Sequence, residues 1–113
     1  MKKLFCLLVL LLSVFTMSAC GESSDVLVVY TEAGFAPFEY ISNGNIVGVD
    51  VDIMNKVGEK LGKKVEFENV SFDSIVDAVS QGKLTNVGAA GLSITPARQE
   101  KVDFSKVYYQ NQE

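Results

Sequence analysis

Histidine and tryptophan are absent from the 113 residues, and there are only two cysteines and two prolines. Without histidine the chain lacks the usual general base near neutral pH and the commonest neutral metal ligand. Ser-His-Asp and Cys-His catalysis are thereby excluded. Both cysteines, Cys6 and Cys20, lie near the N-terminus. No thiol follows residue 20, so neither a disulfide framework nor a cysteine-based metal site is expected. Basic residues are few as well, 10 Lys plus Arg against 14 Asp plus Glu. Such a chain has little with which to follow a phosphate backbone, and nucleic acid is not an expected partner. Nor is a dinucleotide cofactor, because Gly88-Ala89-Ala90-Gly91 lacks the Gly-x-Gly-x-x-Gly spacing. No cofactor or metal is expected at all.

What is present begins with a leader. Lys2 and Lys3 precede an apolar run over residues 4–15, and Ser18-Ala19 stand before Cys20. This is the layout of a secretory signal peptide over 1–19, too short to span a bilayer comfortably. A lone Cys directly after small residues also resembles the lipobox of bacterial lipoproteins, with Met17 where Leu is usual. That resemblance implies cleavage before Cys20 and lipidation of Cys20, palmitate included. The chain would then be anchored outside the cytoplasm, at the outer face of the cytoplasmic membrane or in the periplasm. The alternative is an ordinary leader that happens to contain Cys20. Loss of 1–19 removes Lys2 and Lys3 but no acid, leaving 94 residues with a net charge of −6. The polar stretch at 20–25 reads as anchor and tether.

The rest, 26–113, alternates strand and helix patterns. Residues 26–31, Val-Leu-Val-Val-Tyr-Thr, form an unbroken apolar run, as for a strand covered on both faces. Ser42-Asn43-Gly44-Asn45 between apolar segments predicts a tight turn. Asp50 is expected to cap a helix reaching Leu61, with Val49, Ile53, Met54, Val57 and Leu61 on one stripe and Gly62 ending it. Asp50 and Asp52 are then cap and dipole partners, since a two-residue step points them apart. Residues 65–69 alternate as an edge strand with one wet face, and Phe72, Ile75, Val76 and Val79 recur at helical spacing up to Gly82. A third strand is expected over 87–92. The alternation predicts an α/β unit with a mostly parallel sheet and flanking helices.

The stretch 90–105 carries the chemistry. Thr95 suits an N-cap and Pro96 the first helical position, so a helix is expected to start there. Its free N–H groups, the hydroxyl of Ser93 and the guanidinium of Arg98 would converge on an anion, most naturally a carboxylate. The plainer alternative is that Arg98 pairs with Glu100 or Asp103 while Thr95 only caps. The loop Glu32-Ala33-Gly34-Phe35-Ala36-Pro37-Phe38 leaves the C-terminal end of the first strand, where ligands gather in open α/β sheets. For Phe35, Phe38 and Phe72 simple core packing is the competing reading, and for Glu32 an exposed loop position.

Ser93-Ile94-Thr95, then two residues and Arg98, closed by Val102-Asp103-Phe104-Ser105 and the Tyr108-Tyr109 pair, resembles the first-lobe signature of the bacterial extracellular solute-binding proteins of family 3. The loop from Glu32 to Phe38 and the Gly48-x-Asp50-x-Asp52 pattern fit the same family. Val49 and the turn at 82–86 depart from it. The resemblance covers essentially all of 20–113. It implies the first lobe of a periplasmic-binding-protein type II fold, incomplete, with the second lobe absent. It further implies that Arg98 holds the α-carboxylate of an amino acid, assisted by Ser93 and the backbone at Ala90 and Gly91. Phe35 and Phe72 would sandwich the aliphatic part, and Glu32 would help select a polar side chain. The implied role is the substrate-binding component of an ABC importer, a monomer delivering its amino acid to a permease, not an enzyme. The alternatives are a dehydratase on the same fold with Glu32 as its acid-base group, a sensory ectodomain, or a truncated remnant. A half-cleft of this size is expected to be marginally stable.

Overall fold

The computed structural model describes residues 25–111. The expected leader, Cys20 and the tether through residue 24 lie outside the described residues. The elements are β1 (Val26–Thr31), β2 (Gly34–Phe35), β3 (Glu39–Ser42), β4 (Asn45–Val47), α1 (Val49–Leu61), β5 (Lys64–Asn69), α2 (Phe72–Gln81) and α3 (Pro96–Gln99).

Strand β1 pairs in parallel with β5 over its full length, Val26 opposite Lys64 and Thr31 opposite Asn69. Val29, Tyr30 and Thr31 are all buried, as the unbroken apolar run predicts for a strand covered on both faces. Strand β5 is the expected edge, with half-buried Val65 and Phe67 alternating with exposed Lys64, Glu66 and Glu68. On the other side of β1 the expected third strand over 87–92 is reduced to a single bridge, Tyr30 to Gly88. Tyr30 donates to the Val87 carbonyl at 3.0 Å and Ala89 donates back to Tyr30 at 2.9 Å. Pairing stops there because Gly91 turns left-handed, with φ +55. Thr85 fixes the entry to this segment, its hydroxyl donating to the Val28 carbonyl and accepting from the Val87 N–H.

Helix α2 lies on β1, and Ile75, Tyr30 and Ala90 form a buried cluster ringed by Val70, Phe72, Ala78, Val79 and Leu92. Helix α1 packs on β5 and on the β3–β4 hairpin. Its buried line runs through Val51, Met54 and Gly58; of the expected stripe Met54 is buried and Ile53 and Val57 are half-buried, while Val49 and Leu61 at its ends are exposed. The reason is Gly58, where the helix backbone comes so near β5 that a Cβ would lie 2.3 Å from a Val65 methyl. That close approach sets the helix's rotation and turns its first and last apolar residues outward. The β3–β4 turn is the expected Asn43-Gly44 pair, both at positive φ, 51 and 80.

The expected cap at Asp50 is corrected. Gly48 is the N-cap, and the first amides of α1 are taken by backbone carbonyls, Val49 donating to Pro37 and Asp50 to Phe38, each at 3.0 Å. Gly48 has φ 135, and a Cβ there would lie 2.2 Å from the Phe38 carbonyl oxygen. With the helix start satisfied by the 37–38 backbone, the Asp50 carboxylate is released for another task.

Candidate ligand-binding site

Thr95 caps α3 as its sequence predicts, its hydroxyl accepting the Arg98 N–H at 3.3 Å, with Pro96 in the first turn. This one-turn helix aims Arg98 back across its own loop. The guanidinium Nη1 donates to the Ser93 carbonyl at 2.8 Å, and its central carbon lies 5.4 Å from the centre of the Phe72 ring, cation over π face. Among the described residues Arg98 makes no ion pair, so the pairing with Glu100 or Asp103 is not formed. Arg98, Ser93 and Phe72 therefore form one group, with most of the guanidinium's donors left over. Lys101, just past the end of α3, bridges to Asp77 of α2 at 2.6 Å.

A second group gathers around Gly91. Phe35 is 51% exposed, and its ring lies so near Gly91 that a Cβ there would be 2.9 Å from Phe35 Cδ1. Phe35 stacks on Phe38 at 5.4 Å, and Phe38 meets Tyr109 edge-on at 5.0 Å. The Glu32 carboxylate folds over Gly34, where a Cβ would sit 2.8 Å from Glu32 Oε1. Ala90 is buried in the core cluster with Tyr30 and Ile75. The two groups are joined by the segment from Ala90 to Ser93. An aromatic ring and an acid stand at one end of it, and an aromatic ring and a cation at the other.

Sequence reasoning missed what holds that segment in place. Asp50, 1% exposed, accepts the Gly91 N–H on Oδ2 and the Tyr108 hydroxyl on Oδ1, each at 2.7 Å. The Gly91 amide is thus committed to the protein. Beside Asp50 lies Glu39, 0% exposed, with no described donor reaching either carboxyl oxygen. Burial pushes Glu39 up to about 8, helped by the nearby charges of Asp50 and Glu32. Burial and the bond to Asp50 likewise raise the Tyr108 phenol. The sequence signal for Glu39 was weak, because on β3 it is the apolar Tyr40 and Ile41 that face outward. Among the described residues no group of three His, Cys, Asp or Glu is placed to hold a metal ion.

An α/β lobe with loops at the C-terminal ends of its parallel strands, carrying an unpaired arginine and an acid-aromatic loop, has the architecture of a periplasmic-binding-protein type II lobe. The profile of the bacterial extracellular solute-binding proteins, family 3, matches residues 27–113, and the chain belongs to that family. It is 36% identical to the arginine-binding extracellular protein ArtP of Bacillus subtilis over 96% of this chain and 45% of that protein. It spans under half the length of the curated relatives it matches. Among solved structures, the arginine-bound form of domain 1 of the T. maritima arginine-binding protein superposes with a TM-score of 0.72 at 35% identity, over 75% of this chain and 68% of that one. An ancestral cyclohexadienyl dehydratase superposes at 0.70 with 31% identity, over 75% of this chain and 35% of that one.

Proposed function

We propose that this chain is the capturing lobe of an ABC importer's substrate-binding component, and that it takes a cationic amino acid of the arginine type. The observation that carries the reading is the placement of the unpaired Arg98 guanidinium at one end of the Ala90–Ser93 segment and of the Glu32 carboxylate at the other. A ligand α-carboxylate meets Arg98 and its cationic side chain runs toward Glu32, with Phe35 and Phe72 along the aliphatic part. The likeness to an arginine-bound single domain supports capture by one lobe. Delivery to a permease, export by the 1–19 leader and anchoring through Cys20 complete the reading, and they rest on the family and on Ser18-Ala19-Cys20.

Isothermal titration with arginine, lysine and glutamate tests it. Arginine or lysine is expected to bind and glutamate to fail; equal binding of all three, or of none, overturns the cationic assignment. The dehydratase reading draws on the ancestral enzyme's likeness. Turnover of a prephenate-like acid, lost on Glu32→Gln, would establish it instead.

A further inference from the structure

The Glu39 and Asp50 pair is buried and lies outside the residues assigned above to ligand contact. Glu39 is fully enclosed on β3, and both its oxygens lack a described donor. An ionised carboxylate in that position would be uncompensated, which burial strongly penalises. The groups facing it are Asp50 of α1, Glu32 of the loop after β1, and Tyr108 of the C-terminal segment. None is a cation. The Tyr108 hydroxyl and the Gly91 N–H already donate to Asp50, one to each oxygen. The remaining hydrogen bond that satisfies both acids is one in which Glu39 carries a proton and donates it to Asp50.

We propose that Glu39 is a positioning residue of the ligand site: protonated, it donates to the Asp50 carboxylate, and this carboxyl–carboxylate pair holds the Gly91 turn and Tyr108 in the geometry that seats Phe35. Ionisation of Glu39 puts two like charges side by side and releases the Gly91 turn. Ligand capture then weakens as Glu39 loses its proton. The consequence for binding rests on the function proposed above, whereas the shared proton does not.

Two measurements on the full chain separate these. Carbon-detected carboxyl titration of the ligand-free protein reads Glu39 directly, and its midpoint is expected near 8. A midpoint in the ordinary carboxyl range overturns the proposal whether or not any ligand binds. Arginine affinity is then compared at pH 6 and pH 9 in the wild type and in Glu39→Gln, whose amide donates without titrating. Between those pH values the wild type is expected to lose about tenfold more affinity than the variant, because only about a tenth of it keeps the proton at pH 9. Titration of arginine's own amino group is common to both proteins and cancels. Equal losses overturn the proposal. Asp50→Asn gives a second reading, since its amide donates to ionised Glu39. The Glu39 midpoint should fall by about one pH unit or more, and an unchanged midpoint contradicts the shared proton.

Discussion

The Arg98 guanidinium stands 5.4 Å over the Phe72 ring while Nη1 holds the Ser93 carbonyl. A guanidinium in that position keeps most of its donors without a partner among the described residues. On the proposed function Arg98→Ala would remove a charge-assisted contact to the ligand carboxylate, and arginine affinity should fall roughly 30- to 100-fold, the equivalent of about 2–3 kcal/mol. Calorimetric titration checks this, with the circular dichroism spectrum expected to be unchanged. Affinity within about threefold of wild type would remove Arg98 from the site.

Gly91 occupies a left-handed conformation against the Phe35 ring. Gly91→Ala adds a Cβ where φ disfavours one and where the ring leaves only 2.9 Å. We expect a loss of about 1–2 kcal/mol of stability, together with displacement of Phe35. Urea melts and the aromatic proton shifts of Phe35 report the two effects separately.

The core stands behind a third prediction. The described residues bury only six apolar side chains, Val29, Tyr30, Val51, Met54, Ile75 and Ala90, while Leu61, Leu84, Val107 and Tyr109 are all more than half exposed. Thermal unfolding of the chain without ligand should be broad and low in enthalpy for its length. A sharp two-state melt by calorimetry would contradict this.

The pH dependence of stability follows from Glu39. Its folded value, about 8, lies above the ordinary 4.5, so the folded state holds a proton that the unfolded chain releases. The contribution of Glu39 to stability is therefore fully present below 4.5, declines as pH rises from there to about 8, and levels off above. One linked proton sets a limiting slope of about 1.4 kcal/mol per pH unit. Urea titrations across that range should show the slope in the wild type and its loss in Glu39→Gln.

Much of the fold was legible because its signals are local. The apolar run of β1, the alternation of β5, the Asn43-Gly44 turn and the Thr95-Pro96 start are each written within a few residues. Arg98 reaches the Ser93 carbonyl through the local geometry of the capped turn, whereas its approach to the Phe72 ring, on another helix, was not legible in the sequence. What escaped was non-local. The Asp50–Gly91 and Asp50–Tyr108 bonds join positions 41 and 58 residues apart, and no periodicity encodes them. Asp50 reads as a cap from its place at the front of a helix, and only the carbonyls of Pro37 and Phe38 show that the cap was already supplied. Only the ends of the α1 stripe, Val49 and Leu61, were misplaced, because the helix's close approach to β5 is made at Gly58 against Val65.

The bond from Arg98 to the Ser93 carbonyl also bears on how fast and at what entropic cost a ligand is taken. A free arginine side chain loses roughly 2 kcal/mol of rotamer freedom when it is fixed. Here much of that restriction is imposed during folding, by a carbonyl two residues before the cap. On the proposed function an arriving carboxylate would find its receptor group already oriented, and little side-chain ordering would accompany the encounter. Capture by such a palm should proceed close to the pace of diffusive collision, with affinity differences among ligands expressed mainly in how long each one stays.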